Sequence, residues 1–248
     1  MTEAEWEVSD DPVRMLLFLT GGYEREVPAG GCERFPGTRK LRLFTYACVL
    51  QVKGLIKYTR TLEALEAAPL IADGVLRQKK TQDLRRGTSE LLVELTQVGM
   101  AGTDEMRAVE EADDLVMSDS VRAALHLLEG STLRPSRWEA DCLREIVGDP
   151  YRQYVWTANP SPRKASYREI NNPDMRDLVL LRRSWLTEDA LRIAKTAYDK
   201  RDFSLLPVLG DALEEAGCDF APLLYHLRKD CSCHALGCWA LDLVLDKR

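Results

Sequence analysis

The stretch Thr38-Arg-Lys-Leu-Arg-Leu-Phe-Thr-Tyr-Ala-Cys-Val-Leu-Gln-Val-Lys-Gly-Leu55 decides the fold class. Its apolar residues Leu41, Phe44, Ala47, Cys48, Val52 and Leu55 recur at spacings of three and four, the period of an amphipathic α-helix. Thr38 supplies a hydroxyl at the N-cap. Cys48 falls on the apolar stripe, where a free thiol serves as a small buried hydrophobe.

The same period extends in both directions. Upstream, Asp11-Pro12 reads as an N-cap with proline at the first helical position, opening a short helix through Met15, Leu16, Phe18 and Leu19 that stops at Gly21-Gly22. Residues 23–37, with Pro28, Gly30, Gly31, Pro36 and Gly37, read as a loop. Downstream, Leu62 to Leu76, Leu91 to Val98, Met106 to Met117, Val121 to Leu128 and Ser136 to Val147 read as helices, the last ended by Gly148-Asp-Pro150. Thr187 caps another helix, with Glu188 and Asp189 in the first turn and Leu191, Ala194, Ala197 and Tyr198 inward. Ser204 to Ala216 follows, with Gly217 at its C′ position, and Pro222 to Arg228 and Ala235 to Leu245 complete the chain.

Residues 149–173 lose the period. Pro150, Pro160, Pro162 and Pro173 break helices, and Asn159, Asn171 and Asn172 favour turns. Tyr151, Tyr154, Trp156 and Tyr167 point to an ordered, packed segment. No stretch reads as an alternating strand of useful length. The expected fold is all-α: an irregular multi-helix bundle of short amphipathic helices with one long irregular excursion at about 149–173. It is divided into an N-terminal helical region (1–148), an irregular connecting segment (149–184) and a C-terminal helical region (185–248) within one compact unit.

Composition bounds the function classes. Across 248 residues, 45% hydrophobic and 30% charged side chains are ordinary for a soluble protein. A net charge of -6 argues against general affinity for nucleic acid or anionic membrane. The basic stretches Arg77-Gln-Lys-Lys80 and Arg85-Arg86 are flanked by acids and read as a solvated helix face. The acidic run Glu110-Glu-Ala-Asp-Asp114 reads as solvated surface, and His126, among Ala123, Leu125 and Leu127, as structural. Met1-Thr-Glu-Ala-Glu-Trp-Glu7 lacks the basic start and apolar core of a signal peptide, and no apolar run approaches the ~20 residues of a membrane span. A cytoplasmic location follows as the expectation, and seven cysteines, an odd number, suit free or metal-bound thiols there. The nucleotide-binding glycine loops, the G-x-S-x-G elbow and H-E-x-x-H do not occur, so no catalytic residue is assigned.

Met1-Thr-Glu-Ala-Glu-Trp6, Arg39-Lys-Leu-Arg-Leu-Phe44, Gly148-Asp-Pro-Tyr-Arg152, Trp185-Leu-Thr187, Ala212-Leu-Glu-Glu-Ala-Gly-Cys218 and Gly237-Cys-Trp-Ala-Leu-Asp-Leu243 occur in that order. The pattern resembles an uncharacterised, paralogue-rich family of planctomycete proteins. The resemblance covers both ends and the stretch near 150, residues 60–135 being variable, and it implies no activity. It does imply a Cys, His, His, Cys set at Cys218, His226, His234 and Cys238. The sequence departs from the family pattern at two places. Thr45-Tyr-Ala-Cys-Val49 keeps only Cys48 of a cysteine-rich run, and Leu227 stands where the family has a cysteine.

Residues 218–238 hold four of the seven cysteines and two of the three histidines: Cys218, His226, Cys231, Cys233, His234 and Cys238. Thiolate and imidazole are the side chains that suit zinc. His234 and Cys238, four apart at the start of the expected last helix, share a face, and His226 ends the helix before it. Cys218, His226, His234 and Cys238 form one candidate set; Cys231, Cys233, His234 and Cys238 form a second, with Cys218 buried. Neither contains a Cys-x-x-Cys knuckle. Plain packing is the third reading, since Cys218 follows a capping glycine and Cys238 precedes Trp239 on an apolar face. The expected function is therefore non-enzymatic binding, with another protein as partner and no cofactor. The alternatives are a zinc-binding structural or sensing module at 218–238, with Zn2+ as its one cofactor, and an enzyme without a recognisable motif.

Overall fold

The computed structural model describes residues 1–21, 37–130, 133–158, 177–229 and 234–247. Chain packing divides them into two units, Met1–Ile146 and Val147–Arg248.

Two short helices open the first unit. α1 (Glu3–Val8) was not expected, yet it carries a complete capping box: Thr2 Oγ accepts from the Glu5 N–H at 3.2 Å, and the Glu5 carboxylate accepts from the Thr2 N–H at 2.7 Å. α2 (Pro12–Thr20) starts as read, the Asp11 carboxylate accepting from the Arg14 N–H at 2.9 Å, and ends on Gly21 in the left-handed region. Arg144 ties α1 down by donating to the Trp6 and Ser9 carbonyls, the first at 3.0 Å. The loop expected at 23–37 lies almost wholly outside the described residues.

α3 (Thr38–Gln51) forms the centre of this unit. It buries eight side chains, Leu41 and the seven consecutive ones from Leu43 through Val49, well beyond a single stripe. The reason is its neighbours: α4 (Thr59–Ala72), α6 (Asp104–Asp114) and α7 (Ser120–Gly130) all pack on it, and a helix enclosed on several sides is apolar around much of its circumference. α5 (Gln78–Gln97) is longer than its apolar stripe suggested. Leu84, Thr88, Leu91 and Leu95 face inward at spacings of four, three and four, while Lys79, Lys80, Arg85 and Arg86 stay exposed. α8 (Ser136–Val147) closes the unit.

The second unit departs from the sequence reading. Within the expected excursion, Arg152–Thr157 forms strand β1, which pairs in parallel with β2 (Asp177–Arg182), from Arg152 opposite Asp177 to Thr157 opposite Arg182. Tyr154, Val155, Trp156 and Thr157 are strand-favouring side chains. All six residues of β1 are half-buried, so neither face produced an apolar alternation to read. Residues 159–176 lie outside the described part. The remaining helices are α9 (Glu188–Lys200), α10 (Leu206–Glu215), α11 (Ala221–Arg228) and α12 (Trp239–Val244), packed α9 on α10, α10 on α11, and α12 on both α9 and α11. Apart from that two-stranded sheet, the regular structure of the described residues is helical, and none of their helices is long and apolar enough to cross a membrane.

Candidate metal centre

α10 ends in a Schellman motif. The Gly217 N–H donates to the Glu214 carbonyl at 2.8 Å and the Cys218 N–H to the Leu213 carbonyl at 2.9 Å, with Gly217 at φ +87°. That turn buries Cys218, and burial raises its thiol pKa despite the backbone N–H of Phe220 aimed at the sulfur. Two residues on, the chain enters α11, whose last turn presents His226.

His234 and Cys238 were expected on one helical face. Instead α12 begins only at Trp239, because Gly237 sits at φ +92° and interrupts the helix. The turn still directs both side chains to His226. His226, His234 and Cys238 each offer one ligand atom, and these atoms lie within 4.8 Å of one another. His226 Nε2 is 3.2 Å from Cys238 Sγ, and the two imidazoles meet edge to face with centroids 5.2 Å apart. Nitrogen and sulfur bonded to one tetrahedral zinc stand about 3.5 Å apart, so the pair is near the spacing that ion requires. Cys238 is fully buried, while both histidines are half-buried. Cys218 is not part of this group, and Cys231 and Cys233 lie outside the described residues.

Hydrogen bonds assign the ring protons. His234 Nε2 is 3.2 Å from the Lys229 carbonyl, an acceptor only, so Nε2 carries the proton and Nδ1 the lone pair. That is the arrangement in which a metal-bound imidazole is held by a backbone carbonyl behind it. His226 is the reverse: the Trp239 indole N–H donates to its Nδ1 at 3.1 Å. An indole can only donate, so Nδ1 has the lone pair and the Nε2 proton points at Cys238 Sγ. Trp239 is itself fixed by stacking on Tyr154 at 5.5 Å and 26°, and Tyr154 in turn meets Phe220 at 5.5 Å. Nothing in the spacing of the cluster identified Trp239 as the partner of His226; its adjacency to Cys238 was the only trace.

The first unit contains two buried charge clusters, correcting the solvated reading of residues 110–114. Arg134, almost fully buried, holds Glu111 through two bonds of 2.7 and 3.0 Å and Glu139 through one of 3.2 Å. One guanidinium faces two carboxylates there, and burial raises the Glu111 pKa. Asp114, with a side chain 2% exposed, bonds Nδ1 of His126 at 3.0 and 3.2 Å, and the His126 side chain is 62% exposed rather than packed among the alanines and leucines. Burial pushes Asp114 up to about 7, and the carboxylate in turn raises His126. Cys48 and Cys142 are buried beside each other, and burial raises the Cys48 thiol well above its ordinary range.

No protein-family model, no curated protein and no solved structure matches this chain.

Proposed function

We propose that the second unit is a zinc-binding module in which His226, His234 and Cys238 hold the ion. The observation that carries this reading is the convergence of two imidazoles and one thiol, donors of the type zinc prefers, within 4.8 Å of one another. Three protein ligands leave one tetrahedral position for an oxygen donor. Cys238 binds as the thiolate, so loading releases its proton and strengthens with rising pH. The ion ties the last turn of α11 to the entry of α12, a staple between the two final helices.

Protein produced in zinc-supplemented medium and desalted should carry about one zinc per chain, lost in Cys238→Ser and His234→Ala variants that keep their helical circular dichroism. X-ray absorption should resolve one sulfur and two imidazole nitrogens at roughly 2.3 and 2.0 Å. Wild-type protein holding below about a tenth of an equivalent of zinc would sink the reading.

A further inference from the structure

We infer that Trp239 is a positioning residue that sets the zinc affinity of this centre and moves when the ion binds; the inference rests on the zinc reading above. Its indole N–H donates to Nδ1 of His226 at 3.1 Å, which places the ring proton on Nε2, facing Cys238 Sγ at 3.2 Å. A zinc ion that takes Nε2 needs the lone pair there, and the neutral imidazole then carries its proton on Nδ1. Nδ1–H and the indole N–H become two donors facing each other, with no acceptor between them. Zinc at His226 and the present Trp239 hydrogen bond are mutually exclusive.

The proton balance is simple. The Nε2 proton of His226 leaves and one returns to Nδ1, Cys238 loses its thiol proton, and one proton in total passes to solvent for each zinc bound. The indole must turn away from the imidazole, which it now meets at a centroid distance of 5.0 Å. Its freedom to do so is narrow. Tyr154 stacks on one side, and Gly148 approaches so closely that a Cβ there would lie 2.8 Å from Trp239 Cγ. Zinc occupancy is thereby transmitted to β1 through Tyr154, from a site on the last turn of α11 and the turn that leads into α12.

The test uses the whole protein and zinc alone. Nitrogen-15 spectra of the histidine rings should show His226 with the proton on Nε2 in metal-free protein and on Nδ1 after zinc is added. Tryptophan fluorescence should change on zinc addition in the wild type and not in Trp239→Phe. That variant, which keeps an aromatic ring and lacks the donor, should bind zinc roughly three- to tenfold more tightly, the equivalent of one net hydrogen bond. Zinc bound by the wild type with the Nε2 proton of His226 retained would overturn the inference and leave the zinc reading standing. Unchanged or weaker affinity in a folded Trp239→Phe would do the same. Wild-type protein that takes no zinc would overturn both. If Trp239→Phe does not fold, the ring spectra of the wild type decide alone.

Discussion

Gly148 shows how one residue serves two purposes. It stops α8 with φ at +76°, and its missing side chain leaves the space that Trp239 occupies. Gly148→Ala meets both penalties. The left-handed backbone costs roughly 1–2 kcal/mol with a Cβ, and crowding against a stacked indole adds about 1–3 kcal/mol. The second unit should lose about 2–5 kcal/mol in urea unfolding, with a shifted tryptophan emission maximum. A loss below about half a kcal/mol would show that the indole yields freely, and would remove the argument that Trp239 is confined. The helix stop was legible in Gly148-Asp-Pro150, since proline and glycine act locally. The indole was not, because no local rule connects residues so far apart in the chain.

Elements were legible where their signals are local. Thr187 was read as an N-cap, and its Oγ accepts from the Ala190 N–H at 3.2 Å; Asp11 with Pro12 and Gly217 were read as caps on the same grounds. Thr187→Ala should cost about 1 kcal/mol, measured by thermal unfolding, and Thr187→Ser should recover most of it. Equal losses in the two variants would mean that the methyl of Thr187 contributes the stability, not its hydroxyl. Thr2-x-x-Glu5 is the same kind of signal, but a six-residue helix offers too few positions to show a period beside it. β1 and β2 escaped for a different reason. β1 is half-buried throughout and β2 buries only Leu181, so neither shows the alternation that betrays a hairpin, and no tight turn sets the register of a parallel pair. The last helix starts at Trp239 rather than Ala235, because Gly237 at φ +92° delays it.

At the scale of the whole molecule, stability depends on charges that sequence alone could not pair. Glu111 finds Arg134 and Asp114 finds His126 across helices, so the acidic run looked like a solvated face. The pH response follows from the second pair. Asp114 has its pKa raised from 3.8 to about 7, so between those values the folded chain keeps a proton that the unfolded chain has released. Stability therefore falls as pH rises through that window. His126 is also raised, from 6.5, so its contribution is full below that value and is lost as pH climbs through the folded pKa. Both groups act in one direction. Glu110, Glu111, Asp113 and Glu129 surround the pair and add to the same trend. The melting temperature should fall between pH 5 and pH 8 by several degrees more in the wild type than in Asp114→Asn, which keeps the shape and an acceptor for His126 but cannot ionise. Parallel pH profiles for the two proteins would refute the assignment.

β2 carries one more consequence. Leu178 and Leu180 stand 44% and 39% exposed on a strand that has a single hydrogen-bonded neighbour among the described residues. Such a strand invites a strand from another molecule, the first step toward fibrils. Here the invitation is only six residues long and opens on Asp177 and closes on Arg182. An incoming chain would have to strip water from a carboxylate at one end and a guanidinium at the other. The exposed leucines are thus flanked by charge at both ends, a pattern that disfavours edge-to-edge pairing between copies.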